Sequence, residues 1–167
     1  QAYLDTPLPI GQNQTISAPH MVAIMTEALD VKPDHGILEI GTGSGYQAAV
    51  LAEIAKNGKI YTIERIPELA KQAKKNLAKC GYKNIEVIMA NGTLGYELKA
   101  PFDRIIVTAG ALNVPQVLVD QLKDGGKMLI PVGGRFFQDL ILVEKRAGKI
   151  TKKNLGGCMF VPLIGPQ

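Results

Sequence analysis

The residues that most clearly suggest chemistry are three glycines and an acid in the first half of the chain. Gly41, Gly43 and Gly45 alternate with small residues in the stretch EIGTGSGYQ (39–47). A dinucleotide-binding loop requires Gly-x-Gly-x-x-Gly, and here the third glycine comes one residue early. Glu39 precedes the loop and would repel a pyrophosphate, but it would attract a cofactor that carries a positive amino group.

A second acid indicates what that cofactor contains. Glu64 ends the run KIYTIE (59–64), where a carboxylate can accept hydrogen bonds from both hydroxyls of an adenosine ribose. Together with the glycine loop, the two acids predict S-adenosylmethionine as the cofactor and S-adenosylhomocysteine as its product. The alternative is a tight strand–helix turn with two surface acids and no cofactor.

The elements that must position these residues alternate between strand and helix patterns. This alternation predicts an α/β, doubly wound, Rossmann-like fold of the S-adenosylmethionine-dependent methyltransferase type, with a mostly parallel sheet. Ligands of such sheets bind beyond the carboxyl ends of the strands, where the glycine loop falls. A C-terminal antiparallel pair is expected around Ala147 and Gly148. The predicted strands are 36–41, 59–64, 84–90, 103–109, 126–132, 138–146 and 149–164, and the predicted helices are 45–56, 67–81 and 114–122.

Length and composition predict a single methyltransferase domain over residues 1–167. The chain is 46% hydrophobic and 20% charged, which is typical of globular proteins. We expect a substrate and cofactor loop at 1–21, a cofactor-binding core at 36–132 and C-terminal strands at 138–165. No apolar run is long enough for a membrane helix and no leader is evident. We therefore predict a cytoplasmic monomer with no membrane association.

The two cysteines and the charge exclude other classes of function. Cys80 and Cys158 lie far apart and fit no metal-ligand spacing, so we predict free thiols in a reducing cytoplasm and no metal. A net charge of +4 permits nucleic-acid binding without requiring it, and the chain has no Trp for base stacking. We expect no nucleic-acid partner.

The N-terminal stretch PLPIGQNQTISAPHM (7–21) carries prolines, amides and hydroxyls but no formal charge at neutral pH. Its QTISAPHM element precedes LEIGTGSGYQAAVLAE, and YTIERIPELA, IIVTAGA, LIPVGG and FVPLIG follow in order. With these motifs, nearly the whole chain resembles the protein-L-isoaspartate (D-aspartate) O-methyltransferase family. The resemblance implies repair of aged proteins by methylation of the α-carboxylate of isoaspartyl residues. Isoaspartyl peptides and proteins would be the partners, and uncharged loop groups could bind their backbone.

The resemblance also implies roles for individual residues. Ser17 is the expected catalytic residue, which would orient the acceptor carboxylate. The expected substrate-binding residues are Gln14, Thr15, Ile16 and Ser17. The expected cofactor-binding residues are Thr15, His20, Glu39, Gly41, Thr42, Gly43, Ser44, Gly45, Glu64, Arg65, Asn91, Gly92 and Thr108.

Ser17 has a structural alternative. It could be the N-cap of a helix with Pro19 in its first turn and with Met21, Met25 and Ala28 as the buried stripe.

Three features depart from the family pattern. Asn91 stands where the family usually has an aspartate that helps hold the adenine, and Asn13 replaces a glycine, a mild change because Asn tolerates positive φ. The family also has a helical segment before the PLPIG element, which is expected to be absent here.

Two other functions are left open by the sequence. An RNA methyltransferase could use the basic stretch KRAGKITKKN (145–154) as a phosphate contact. However, the strand at 103–109 is not followed by Asn/Asp-Pro-Pro-Tyr/Phe, the usual motif of enzymes that methylate exocyclic base amines. A cofactor-binding scaffold without turnover would be consistent with Asn91.

Overall fold

The computed structural model of the chain describes residues 1 and 3–165. The strands are β1 (Leu8–Gly11), β2 (Gln14–Ile16), β3 (Gly36–Ile40), β4 (Lys59–Glu64), β5 (Ile85–Met89), β6 (Phe102–Val107), β7 (Leu122–Gly133), β8 (Gln138–Arg146) and β9 (Lys149–Cys158). The α-helices are α1 (Pro19–Leu29), α2 (Tyr46–Ile54), α3 (Pro67–Lys79) and α4 (Gln116–Asp120). Two short 3₁₀ helices lie at Gly92–Leu94 and Glu97–Lys99.

A seven-stranded sheet forms the centre of the molecule, in the order β5-β4-β3-β6-β7-β8-β9. Strands β5, β4, β3, β6 and β7 are parallel, and β8 and β9 extend the sheet as an antiparallel pair. The predicted fold class is therefore confirmed. The order of strands reverses beside β3, so a ligand cleft is expected at the carboxyl end of β3.

Two apolar clusters cover the opposite faces of this sheet. One contains Leu38 and Ile105, and the other contains Ile37 and Ile106, so neighbouring residues of one strand point to opposite sides. Such strands must be apolar along their length, which explains the continuous hydrophobic runs in the sequence.

No helix in the described part of the chain is long and apolar enough to cross a membrane.

Helix α3 follows the predicted pattern closely. Leu69, Ala73 and Leu77 are buried along one face, whereas its lysines are exposed. Pro67 begins the helix, and Gly81 just beyond its end has a φ of 81°.

The N-terminal stretch, which the sequence suggested was a loop, contains the β1–β2 hairpin. Leu8 pairs with Ile16, and the tight turn places Gln12 and Asn13 at φ values of 53° and 55°. A short hairpin turn favours this left-handed conformation, and Asn adopts it at little cost. Asn13 is thus compatible with the turn.

Several predicted boundaries differ from the structure. The strand predicted at 126–132 begins four residues earlier, at Leu122, and the helix predicted at 114–122 begins at Gln116. The helix predicted at 114–122 ends at Asp120, because Leu122 pairs with Phe102 and opens β7. The strand predicted at 149–164 ends at Cys158, after which the chain turns toward the end of β6. There Gly110 donates its N–H to the carbonyl of Val161. This turn brings the C-terminal segment 159–164 to the same edge as the glycine loop.

Candidate active site

The glycine loop connects β3 to α2 at the carboxyl edge of the sheet. Gly41, Gly43 and Gly45 have φ values of 98°, 54° and 87°, a region that L side chains rarely adopt. A Cβ at Gly41 would lie 2.4 Å from Oγ1 of Thr108, whose hydroxyl donates to the Gly41 carbonyl at 2.7 Å. Glycine is required here because the loop passes against the end of β6.

Glu64 holds the loop from the neighbouring strand. Its Oε2 accepts a hydrogen bond from the Gly43 N–H, and its Oε1 accepts one from the Ile66 N–H, both at 2.9 Å. The side chain is buried at the end of β4 and lines a cavity beside the loop. Each carboxylate oxygen keeps a lone pair, so Glu64 can accept further hydrogen bonds from ribose hydroxyls.

Glu39 lies beneath the loop and is fully buried. Thr62 donates to its Oε2, and Thr42 is hydrogen-bonded to Thr62 at 2.7 Å. Because Thr62 has a single proton, Thr42 must be the donor to Thr62. The chain of hydrogen bonds Thr42–Thr62–Glu39 thus ties the glycine loop to β3 and β4.

The environment of Glu39 disfavours its charge. Burial raises the pKa of the Glu39 carboxyl to about 8, the hydrogen bond from Thr62 opposes this shift, and the nearby Glu64 charge adds to it. Its Oε1 has no hydrogen-bond partner in the described part of the structure. Glu39 does not line the cavities, and a carboxyl with this pKa is mostly neutral near pH 7, so the structure gives no support to the predicted attraction between its charge and a cofactor amino group.

Two cavities adjoin the loop, and a third cavity meets them at Thr15 and Thr108. The first lies between Gly41, Glu64, Arg65 and Gly92 and is covered by Ile10 of the hairpin. The second contains Ile16, Ser17, Thr42 and Ser44. The third opens toward Ser17, Met21, Phe136 and Met159. Thr15 and Thr108 line all three, so the cavities meet between the hairpin and the end of β6.

Most of the predicted site residues meet at these cavities. Ser17 lies between the second and the third cavity. The predicted residues that line the first or the second cavity are Gln14, Thr15, Ile16, Ser17, Gly41, Thr42, Gly43, Ser44, Glu64, Arg65, Gly92 and Thr108.

The structure shows that Ser17 is not a helix cap. Helix α1 begins at Pro19 with Ala18 as its N-cap, and no side chain caps it. The Ser17 hydroxyl makes no hydrogen bond to another described residue. It is therefore available to a ligand in the adjoining cavities.

His20, Gly45 and Asn91 do not line the cavities. The His20 side chain is 70% exposed and lies 3.8 Å from the Asp5 carboxylate. Gly45 is the N-cap of α2 and packs against Leu77. Their predicted cofactor contacts thus have no support from the cavity geometry.

Asn91 caps the first 3₁₀ helix. Its Oδ1 accepts hydrogen bonds from the Thr93 N–H at 3.0 Å and from the Thr93 hydroxyl at 2.9 Å. An aspartate could accept the same two bonds, so the departure from the family pattern preserves the capping role.

Several residues of the site carry no recognisable chemical pattern in the sequence. Apolar side chains wall the first cavity, and the C-terminal segment supplies four of them. Only the FVPLIG motif indicated that this segment matters. The residues not predicted are Ile10, Ile40, Ile63, Ile66, Leu69, Ala109, Val161, Pro162, Leu163 and Ile164 in the first cavity, and Val22, Tyr46 and Gln47 in the second. Within residues 1 and 3–165, no group of His, Cys, Asp or Glu is arranged to hold a metal ion.

Comparison with known proteins decides the family. The model of the protein-L-isoaspartate (D-aspartate) O-methyltransferase family matches residues 1–167. The chain belongs to this family. A protein-L-isoaspartate O-methyltransferase from Methanopyrus kandleri is 59% identical over 170 residues, which cover 100% of this chain and 75% of that protein. Its counterpart from Methanococcus aeolicus is 60% identical, over 98% of this chain and 76% of that protein.

A solved structure supports the same conclusion. A Plasmodium falciparum protein described as an isoaspartate O-methyltransferase, crystallised with S-adenosyl-L-homocysteine, superposes with a TM-score of 0.87. It is 32% identical, and the match covers 97% of this chain and 81% of that chain. Membership of the isoaspartate methyltransferase family confirms the predicted fold, S-adenosylmethionine as the cofactor and the methyltransferase activity. It does not favour the RNA methyltransferase or the inactive scaffold.

Proposed function

We propose that this protein transfers the methyl group of S-adenosylmethionine to the α-carboxylate of L-isoaspartyl residues in damaged proteins. The observation that carries the proposal is the junction of the three cavities at Thr15 and Thr108. One route to this junction passes the glycine loop and Glu64, and another comes from the surface past Ser17. Donor and acceptor would therefore approach one point from opposite sides.

The residues around the first two cavities fit the cofactor. Glu64 would accept the ribose hydroxyls, and the absence of side chains at Gly41 and Gly43 leaves room beside it. Thr42 and Ser44 would line the part that binds the amino-acid end. The bound cofactor supplies the methyl group from a positively charged sulfonium.

The chain then has to bind and orient a carboxylate rather than to activate it. An α-carboxylate is ionised at neutral pH, so no general base is required. When the carboxylate attacks the methyl group of the sulfonium, an anion and a cation become a neutral ester and a neutral thioether. Water slows this step because it stabilises the separated charges of the reactants. Ser17 would donate a hydrogen bond that holds the acceptor oxygen in line, while the β1–β2 hairpin covers the site from water.

Substrate selectivity tests the function. Wild-type protein with labelled S-adenosylmethionine is expected to methylate an isoaspartyl peptide and to leave the matched aspartyl peptide and bulk RNA unlabelled. In the isoaspartyl peptide the free carboxylate is attached directly to a backbone carbon, whereas in the normal peptide a methylene separates the two. The normal carboxylate is therefore one bond farther from the backbone and would be displaced from the position that the Ser17 hydroxyl aligns. Equal labelling of both peptides, or labelling of RNA alone, would contradict the proposal.

Substitution of Ser17 tests the proposed orienting role. Ser17→Ala is expected to lower kcat/KM for an isoaspartyl peptide by about tenfold or more, which corresponds to about 1.4 kcal/mol of transition-state stabilisation. The affinity for S-adenosylhomocysteine should change much less, because the lost bond is to the acceptor. Methyl-transfer kinetics and calorimetry separate the two effects.

Thr151→Ala removes an exposed hydroxyl from β9 and is the matched control. It should leave both quantities unchanged. Full activity of Ser17→Ala with only a lower melting temperature would show that Ser17 is structural.

A further inference from the structure

The third cavity is larger than a single carboxylate requires. Its volume is about 460 Å³, within the range of cavities that bind small molecules. Apart from its inner end, the lining is mainly apolar and includes Pro7, Met21, Phe136, Met159 and Phe160. A methyl acceptor alone would leave most of this surface empty.

The outer wall of the cavity exposes large apolar side chains. Phe136 is 82% exposed and Met159 is 74% exposed, although each could have been polar at no cost to the core. Adjacent exposed apolar residues beside a cleft commonly mark a binding surface. The Arg135 guanidinium lies 5.9 Å from the centre of the Phe136 ring and pairs with no acid in the described part of the chain.

A buried side chain holds the two outer walls together. Phe136 belongs to the β7–β8 turn, and Met159 belongs to the segment that follows β9. Gln138 is buried between them, donating to the Gly134 carbonyl at 2.6 Å and accepting from the Phe160 N–H at 2.7 Å. The spacing of the walls is therefore built into the fold.

The inner end of the cavity is continuous with the methyl-transfer site. Thr15, Ser17 and Thr108 line both the second and the third cavity. A peptide whose carboxylate reaches Ser17 from the surface must place its neighbouring residues along this cavity. The occupant of the apolar wall is then part of the substrate itself.

We propose that the third cavity binds an apolar side chain that flanks the isoaspartyl residue. This inference rests on the proposed function and adds a preference among damaged sites. Methionine suits such a subsite because its flexible, polarizable side chain adapts to different apolar shapes. Isoaspartyl sites next to a bulky apolar residue would be repaired faster than sites in polar segments.

The test uses the full chain and two pairs of isoaspartyl peptides. One pair carries Leu or Ser immediately before the isoaspartyl residue, and the other carries Leu or Ser immediately after it. We expect kcat/KM for the Leu peptide to exceed that for the Ser peptide by about threefold or more in at least one pair. The difference should lie mainly in KM, because the contact with the flanking side chain is made equally in the enzyme–substrate complex and in the transition state.

Two variants locate the effect. Met159→Ser should bring the Leu-to-Ser ratio close to one. Leu98→Ser changes a residue of similar exposure, 83%, that does not line the cavity, and it should keep the wild-type ratio. Ratios near one for both pairs in the wild type would overturn the inference. So would a ratio that Met159→Ser leaves unchanged, as expected if a second copy of the chain or another segment occupied the cavity. Failure of the proposed function would instead show as no methylation of any isoaspartyl peptide.

Discussion

The Glu39→Gln variant is expected to have a much flatter dependence of stability on pH than the wild type. Between about pH 5.5 and about pH 8, the wild type should lose roughly 3 kcal/mol of unfolding free energy relative to the variant. Urea unfolding at several pH values in this range would measure both proteins. The expected difference is in the slope of unfolding free energy against pH rather than in its absolute value. The buried Gln amide lacks a clear hydrogen-bond acceptor, which lowers the stability of the variant by an amount that does not change with pH.

The sign follows from the burial of the carboxyl. The pKa of Glu39 rises from 4.5 to about 8 on folding. Between these values the folded protein holds a proton that the unfolded chain has released, so raising the pH favours unfolding. The contribution of neutral Glu39 to the unfolding free energy is fully present below the pKa of the unfolded state. It is lost as the pH rises through the pKa of the folded state. Glutamine mimics the neutral acid and removes the titration.

Other groups do not imitate this effect. Burial, followed by the charge of Arg104, lowers the pKa of His35, so His35 makes stability rise with pH in part of the same range. Since His35 is present in both proteins, its contribution cancels in the comparison. Glu86→Gln, which changes an exposed carboxylate on β5, is the control and should retain the wild-type slope. Parallel curves for wild type and Glu39→Gln would mean that Glu39 is charged in the folded protein.

The Glu64→Ala variant is expected to bind the cofactor more weakly by about 1.5–3 kcal/mol, or roughly 10- to 150-fold. The side chain accepts from the Gly43 and Ile66 N–H groups and would also accept from the ribose. Its removal therefore loosens the glycine loop and removes a direct contact. Calorimetric titration with S-adenosylhomocysteine measures the loss without the charge of the sulfonium.

Glu68→Ala is the matched control, because Glu68 is an exposed acid in the first turn of the helix that follows β4. It should bind the product as the wild type does. An unchanged affinity of a folded Glu64→Ala variant would place the ribose elsewhere.

These two acids show how the site is built from neighbouring strands. Glu39 on β3 and Glu64 on β4 both reach the glycine loop, the first through Thr62 and Thr42 and the second by direct bonds to backbone N–H groups. Both acids therefore fix the loop by hydrogen bonds that are present without a ligand. The loop is therefore preorganised by the sheet.

The sequence by itself determined the parallel core and the position of the site within it. The buried runs at 36–41 and 59–64, with glycines after the first and an acid ending the second, leave few arrangements other than a doubly wound sheet. Residues close in sequence to these strand ends, such as Gly41 and Glu64, could be predicted because a strand that enters the core releases the chain at its edge. The family followed from the QTISAPHM element and its order among the other motifs.

Only the tertiary structure decided which distant segments complete the site. The chain after Cys158 leaves the sheet and returns to Gly110, so Val161 and Pro162 line cavities that no chemical pattern of their own indicated, although the FVPLIG motif pointed to this segment. Helix α1 has Ala18 as its N-cap, which leaves Ser17 available, although the sequence also allowed Ser17 to be the cap. Glu39, predicted beside the cofactor, is instead buried under the loop. In each case the outcome depends on packing between elements far apart in the chain, because local propensities are weaker than the hydrogen bonds and buried contacts that assemble the sheet edge.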